Sequence, residues 1–240
     1  MKKPKKRRLI AFGCSNTYGH GLRDCAIGMG AGEQPSKFAW PQLLSNDLNR
    51  VCLNLSNPGA SMREVVHKIQ TTKYRKGDMV VVMFPPIPRS CLIKYEPEAE
   101  SGLGTNAPYN PNEKYGEWVI EQIFANRKPK STALDKVWVS FFAEEAHIHL
   151  DWITLTNYVY LFLKHKNITA YYFSCGKSYH ERNFMKKHDL DSINYVPIKV
   201  SGIVDISKTM QDFALDNSHP GEQSHKVFAD RAFQYICQNT

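Results

Sequence analysis

Short apolar runs and helix-spaced apolar positions alternate along most of the chain. Leu9 to Phe12 follows Arg8 and stops at Gly13, so Arg8 to Gly13 reads as a first strand. Val51 to Leu55 repeats the pattern. Met79 to Phe84 repeats it again, with Gly77-Asp78 in front and Pro85-Pro86 behind. A short, continuously apolar run bounded by turn residues suits a parallel strand buried on both faces. Ile168 to Phe173 predicts a fourth strand and Gly202 to Ile206 a short fifth. The intervening segments switch to helical spacing. Phe38 to Leu48 carries Trp40, Leu43, Leu44 and Leu48 on one face. Met62, Val65, Val66 and Ile69 follow Ser61, which stands three residues before Glu64 as in a capping box. Trp152, Leu155, Val159, Phe162 and Leu163 mark a further helix, and Phe228, Ala232 and Ile236 line a C-terminal one. Strands alternating with helices predict βαβ units and a mostly parallel sheet of about five strands with helices on both faces. In such a sheet functional groups gather at the carboxyl ends of the strands.

From Pro85 to Asp135 the periodicity dissolves. Seven prolines fall there, with several Gly and Asn, and Tyr115 to Ala125 reads as a helix within it. So long an irregular segment in a compact domain suggests a lid, a binding insertion or a mobile loop. The 240 residues suit one α/β domain over 1–240, with a basic tail over 1–7 and the insertion over 85–135.

Charge changes this picture little. The formal net charge is +8, but six basic residues lie in the first eight positions, which leaves a body near +2. No nucleic-acid motif accompanies the tail, so a nucleic-acid partner is not expected. Four apolar residues after the tail are too few for a secretory signal, and no run approaches the roughly 18 residues of a membrane span. The six cysteines are scattered without a CxxC pair, which reads as reduced thiols in a cytoplasmic setting.

Three polar segments follow the strands. Gly13-Cys14-Ser15-Asn16-Thr17-Tyr18-Gly19 follows the first and presents a serine on a tight turn. Asn54-Leu55-Ser56-Asn57-Pro58-Gly59-Ala60-Ser61 follows the second and leads into a helix. Asp216-Asn217-Ser218-His219-Pro220-Gly221 precedes the last helix. An Asp three residues before a His can hold one ring nitrogen while the other serves a nucleophile as general base. Each segment alone reads equally well as an ordinary turn. In this order the sequence resembles the SGNH (GDSL-like) hydrolases. Gly13 to Gly19 is similar to the family's first block, with Cys14 where Asp is usual. Gly59 is similar to the second-block glycine, Asp216 to His219 to the last block, and Trp40-Pro41-Gln42-Leu43-Leu44 to a segment common after the first.

The resemblance implies a flavodoxin-like, three-layer α/β/α sandwich and a serine esterase that needs no cofactor. It implies Ser15 as nucleophile, His219 as base, Asp216 as its partner, and the Ser15 and Gly59 N–H groups as oxyanion donors. An acyl ester is the implied substrate, an O-acetylated glycan among the candidates by family habit. The third block departs from the family. The third strand runs into Pro85-Pro86-Ile87-Pro88-Arg89, with no Asn to complete the oxyanion hole. Arg89, Asn16 and Asn57 are candidates to replace it or to bind substrate. The Pro-then-Arg form resembles bacteriophage-encoded SGNH-like proteins, which adds a virion to the settings considered. The alternative is therefore a catalytically impaired protein of this fold with a binding or structural role. His147 and His149 lack a third partner at metal-site spacing, so no metal is expected. Cys14 reads as a packed thiol, His225 as a packing or capping residue, and His20 and Asp24 as residues near the pocket.

Overall fold

A computed structural model describes residues 6–27, 30–86, 89–95, 118–124, 145–175 and 206–240 of the protein. Four parallel strands form the central sheet: β1 (Arg8–Phe12), β4 (Val51–Asn54), β5 (Met79–Phe84) and β8 (Thr169–Ser174). Their order across the sheet is β4-β1-β5-β8. Two antiparallel pairs stand apart from it, β2 (Ala26–Ile27) with β3 (Gly30–Ala31) and β6 (Arg89–Tyr95) with β7 (Trp118–Phe124). The helices are α1 (Ser15–Tyr18), α2 (Trp40–Asp47), α3 (Met62–Thr71), α4 (Glu145–His165) and α5 (Glu222–Gln238). A short 3-10 helix covers Ile206–Thr209.

The strand pleat sorts the core into two layers. Leu9 and Ala11 of β1, Met79, Val81 and Met83 of β5, and Phe173 of β8 face one way. They pack on Trp40 and Leu44 of α2 and on Phe228, Ala232 and Ile236 of α5. The alternate residues Ile10, Phe12, Val80, Val82 and Phe84 face the other way, onto Val65 and Ile69 of α3 and Trp152, Val159 and Leu163 of α4. All six residues of β5 are buried, as its unbroken apolar run demands. The result is the expected three-layer α/β/α sandwich.

The chain leaves β1 toward β4 on one side, then crosses back to β5 on the other. Parallel strands need right-handed crossovers, so this reversal puts α2 and α3 on opposite faces. The carboxyl ends of β1 and β5 are the switch point of this order, the place where ligands bind in doubly wound sheets.

Local signals explain the helix starts. Ser61 Oγ accepts the Glu64 N–H at 3.4 Å, the first half of the predicted capping box; losing such a cap costs about 1 kcal/mol. Pro41 stands in the first turn of α2, where no N–H is needed. The Trp40 N–H at that helix start donates to His225 Nδ1 at 3.1 Å, so His225 both packs and caps. Burial pushes the His225 imidazole down to about 3, so it is neutral in the fold.

One expectation needs correction. Residues 118–124 form β7, paired with β6 from Tyr95↔Trp118 to Arg89↔Phe124, not a helix over 115–125. The chain there carries Trp, Val, Ile and Phe, which favour strands. Of the expected fifth strand, Ile206 opens the 3-10 helix, and residues 202–205 lie outside the described residues. So do the tail residues 1–5 and much of the 85–135 segment.

Candidate active site

Gly13, Cys14 and Ser15 turn the chain out of β1 into α1. A Cβ on Gly13 would fall 2.2 Å from Thr17 Oγ1, so a side chain there would block the first turn of α1. Ser15 is the first residue of α1 and is 4% exposed. Cys14 is fully buried behind it, with its sulfur 3.9 Å from Cys175 Sγ and Cys175 Sγ against the Phe84 carbonyl. The two thiols meet over the end of β5, which separates their own strands. The contact with Cys175 outweighs burial and, with the Arg89 charge, holds the Cys14 thiol below the usual range.

The last-block loop is hydrogen-bonded onto this turn. The Ser15 carbonyl accepts the His20 N–H at 3.1 Å, and the Gly21 carbonyl accepts the Leu215 N–H at 2.9 Å. Gly21 lies at φ 82°, and a Cβ on it would stand 2.8 Å from the Asp216 carboxyl carbon. Only glycine permits so close an approach in that conformation.

The Asp216 carboxylate gathers three donors. Oδ1 accepts the Ser218 and His219 N–H groups, each at 3.0 Å, and Oδ2 lies 2.5 Å from His219 Nδ1. Burial alone would raise the Asp216 carboxyl, but the hydrogen bonds from His219 and Ser218 prevail and hold it below the usual carboxylate range. An ionised carboxylate can only accept, so His219 Nδ1 carries a proton. In the neutral imidazole Nε2 then holds the lone pair, the tautomer a general base requires.

The second-block loop is tied to the first. Asn57 N–H donates to the Gly13 carbonyl at 3.3 Å, and Asn54 Nδ2 donates to the Thr17 carbonyl at 2.8 Å. Beneath the loop lies a buried ion pair. Glu64 and Lys68 side chains, 1% and 3% exposed, meet at 3.3 Å. Lys68 Nζ donates to the Leu55 carbonyl at 2.8 Å, and Asn57 Nδ2 donates to Glu64 Oε1 at 2.7 Å. The network fixes the loop that carries Gly59, itself at φ 81°.

The other predicted residues separate. Asn16 lies on α1 beside Ser15. Asn57 spends an amide N–H on Glu64. Arg89 opens β6, near enough for its charge to act on Cys14. His20 packs edge-on to His219 with ring centroids 4.7 Å apart, whereas Asp24 turns away to Ser36 and the Lys37 N–H. His147 and His149 lie on α4. The cluster with metal-ligating spacing among the described residues is instead His20, Asp216 and His219. Asn54, Glu64 and Lys68 were not singled out as site residues in the sequence. The one available signal was Ser61-x-x-Glu64, which marks a helix start and not a loop brace.

Neither a protein-family model nor a curated protein sequence matches the chain. Solved structures do. One is a carbohydrate esterase whose active site displays divergent catalytic and non-catalytic binding functions, with TM-score 0.54 and 10% identity over 99% of this chain and 67% of that one. Another is a carbohydrate esterase family 2 enzyme plus carbohydrate-binding domain from Corynascus thermopiles (Myceliophthora fergusii), with TM-score 0.52 and 12% identity over 99% and 68%. A third is an acetyl xylan esterase from the rumen bacterium Butyrivibrio proteoclasticus, with TM-score 0.51 and 13% identity over 100% and 66%. The chain spans about two thirds of each. The protein shares its α/β/α fold with these esterases. Among the described residues no helix is long and apolar enough to cross a membrane.

Proposed function

We propose that the protein is a serine esterase of the SGNH type. The observation that carries this reading is the Asp216–His219 pair, set in the base tautomer and hydrogen-bonded onto the turn that bears Ser15. In the proposed reaction Ser15 Oγ attacks an acyl carbonyl carbon while its proton passes to His219 Nε2. The Ser15 and Gly59 N–H groups stabilise the oxyanion. The tetrahedral adduct collapses, the C–O bond to the alcohol breaks, and His219 returns the proton to the leaving oxygen. Water then attacks the acyl-enzyme by the same steps in reverse, and no cofactor enters. Asp216 stabilises the imidazolium and fixes its orientation. The substrate we propose is an O-acetylated glycan, in keeping with the carbohydrate and acetyl xylan esterases that share the fold.

A second reading is a protein of this fold that binds a glycan or serves a structural role, in a virion for example, with little turnover. The carboxyl end of β5 favours it. No Asn follows the strand, the Phe84 carbonyl faces Cys175 Sγ, and the Pro85 carbonyl accepts Trp152 Nε1. One missing oxyanion donor typically lowers kcat by roughly 100- to 1000-fold.

Steady-state hydrolysis of 4-nitrophenyl acetate and of acetylated xylan, with wild type and Ser15→Ala, separates the two. The esterase reading predicts acetate release that the substitution abolishes. Release at the buffer rate on both substrates, or unchanged release by Ser15→Ala, would sink it.

A further inference from the structure

His20 has no part in the reaction proposed above, yet the fold brings it to the same carboxylate. Gly19 and Gly21, both at φ 82°, fold the chain back on either side of it. Its Nε2 lies 3.8 Å from Asp216 Oδ2, too far for a hydrogen bond. Its Nδ1 is buried with no hydrogen-bond partner among the described residues. Burial, with the neighbouring His219, lowers its affinity for a proton, so it is neutral and keeps a lone pair. His20, Asp216 and His219 each place one ligand atom within 4.8 Å of the others. All three side chains keep some contact with solvent, 17%, 22% and 23% exposed, so an ion can reach them and they can adjust.

We propose that His20, Asp216 and His219 form a three-ligand site for a divalent transition-metal ion, Zn2+ foremost, and that the bound ion blocks acyl transfer. Two imidazoles and one carboxylate are a borderline donor set that suits Zn2+ and disfavours Mg2+ or Ca2+. With bonds of about 2.0–2.2 Å, tetrahedral ligand atoms stand about 3.3 Å apart. For binding through His219 Nδ1, the His20 Nε2–Asp216 Oδ2 separation of 3.8 Å closes by about 0.5 Å and the His219 Nδ1–Asp216 Oδ2 contact of 2.5 Å opens by about 0.8 Å. A fourth position stays open to water.

Inhibition follows from either mode of binding to His219. Through Nε2, the ion takes the lone pair that would receive the Ser15 proton. Through Nδ1, it displaces that nitrogen's proton to Nε2, with the same loss. The binding does not depend on the serine reading of the site; the inhibition does.

The test is calorimetric titration of tag-free, chelator-treated full-length protein with Zn2+, for wild type, His20→Gln and His20→Ala. The expected result is one ion per chain in the wild type and an affinity at least about tenfold weaker in both variants. In the acetyl-ester assay Zn2+ should inhibit, EDTA should restore the rate, and the half-inhibitory concentration should rise with the loss of affinity. Absence of binding by the wild type, or equal affinity in both folded variants, overturns the site. Should the His20 variants fail to fold, Asp216→Asn, read by ion affinity alone, must lose binding or the site is likewise rejected. Ion binding without esterase activity upholds the site and rejects the reaction. Ser15-dependent hydrolysis without ion binding does the reverse.

Discussion

Gly21 couples two parts of the candidate site that lie almost two hundred residues apart. Its positive φ and its approach to Asp216 leave no room for a Cβ. Gly21→Ala is expected to destabilise the fold by about 1–3 kcal/mol, through backbone strain and displacement of Asp216. Urea unfolding measures this, and the esterase rate should fall further than the population of folded protein does. Asp216→Asn tests the tautomer directly. Asparagine can still accept the Ser218 and His219 N–H groups, so the loop stays in place. Its amide, however, donates to Nδ1 and forces the proton onto Nε2. A fall in kcat on the order of 10^4-fold with an unchanged melting temperature is expected, from the behaviour of such triads. At this scale the Asp216–His219 hydrogen bond was legible because both residues sit in one short local motif. The His20 contact was not. A lone histidine between glycines carries no sign of a partner at the other end of the chain.

At the scale of elements, α3 does more than cover the sheet. Its Glu64–Lys68 pair is sealed under the loop from Asn54 to Gly59 and holds Asn57 and Leu55 in place. Removing one partner leaves the other charge buried alone, so Glu64→Ala is expected to cost about 3–5 kcal/mol by urea unfolding. Glu64→Gln with Lys68→Met, which removes both charges while keeping volume, is expected to cost much less. Equal losses would mean that the pair is not buried as described. An i,i+4 Glu–Lys pair usually lies on a solvated helix face, so the sequence pointed away from this role. The hairpin of β6 and β7 was missed for a different reason. Trp118, Val119, Ile120, Ile123 and Phe124 are compatible with either a helical or an extended face. The choice depends on pairing with 89–95, a contact that periodicity within one segment does not register.

At the scale of the molecule, the parallel sheet and the helices on both its faces were legible in outline. The central strands are unbroken apolar runs with turns at both ends, and the helices between them carry strong 3.6-residue periodicity. Closure of the fold was less visible, because it rests on single side chains. His225 of α5 caps the start of α2 and is fully buried and neutral. Its folded-state value near 3 lies below the ordinary 6.5, so its contribution to stability is complete above about pH 6.5. That contribution falls as pH drops toward 3, by about 2 kcal/mol at pH 5. His225→Gln keeps an acceptor for Trp40 and does not titrate. Melting temperature followed from pH 7.5 to 5 should therefore decline less in the variant than in the wild type. The central proposal is that Ser15, at the end of β1, is reactive and gives its proton to His219. Fluorophosphonate labelling followed by peptide mass mapping tests it most directly. The account predicts one adduct per chain, on Ser15, lost in Ser15→Ala and strongly slowed in Asp216→Asn. No adduct on the folded wild type, or an adduct that persists in Ser15→Ala, would contradict it.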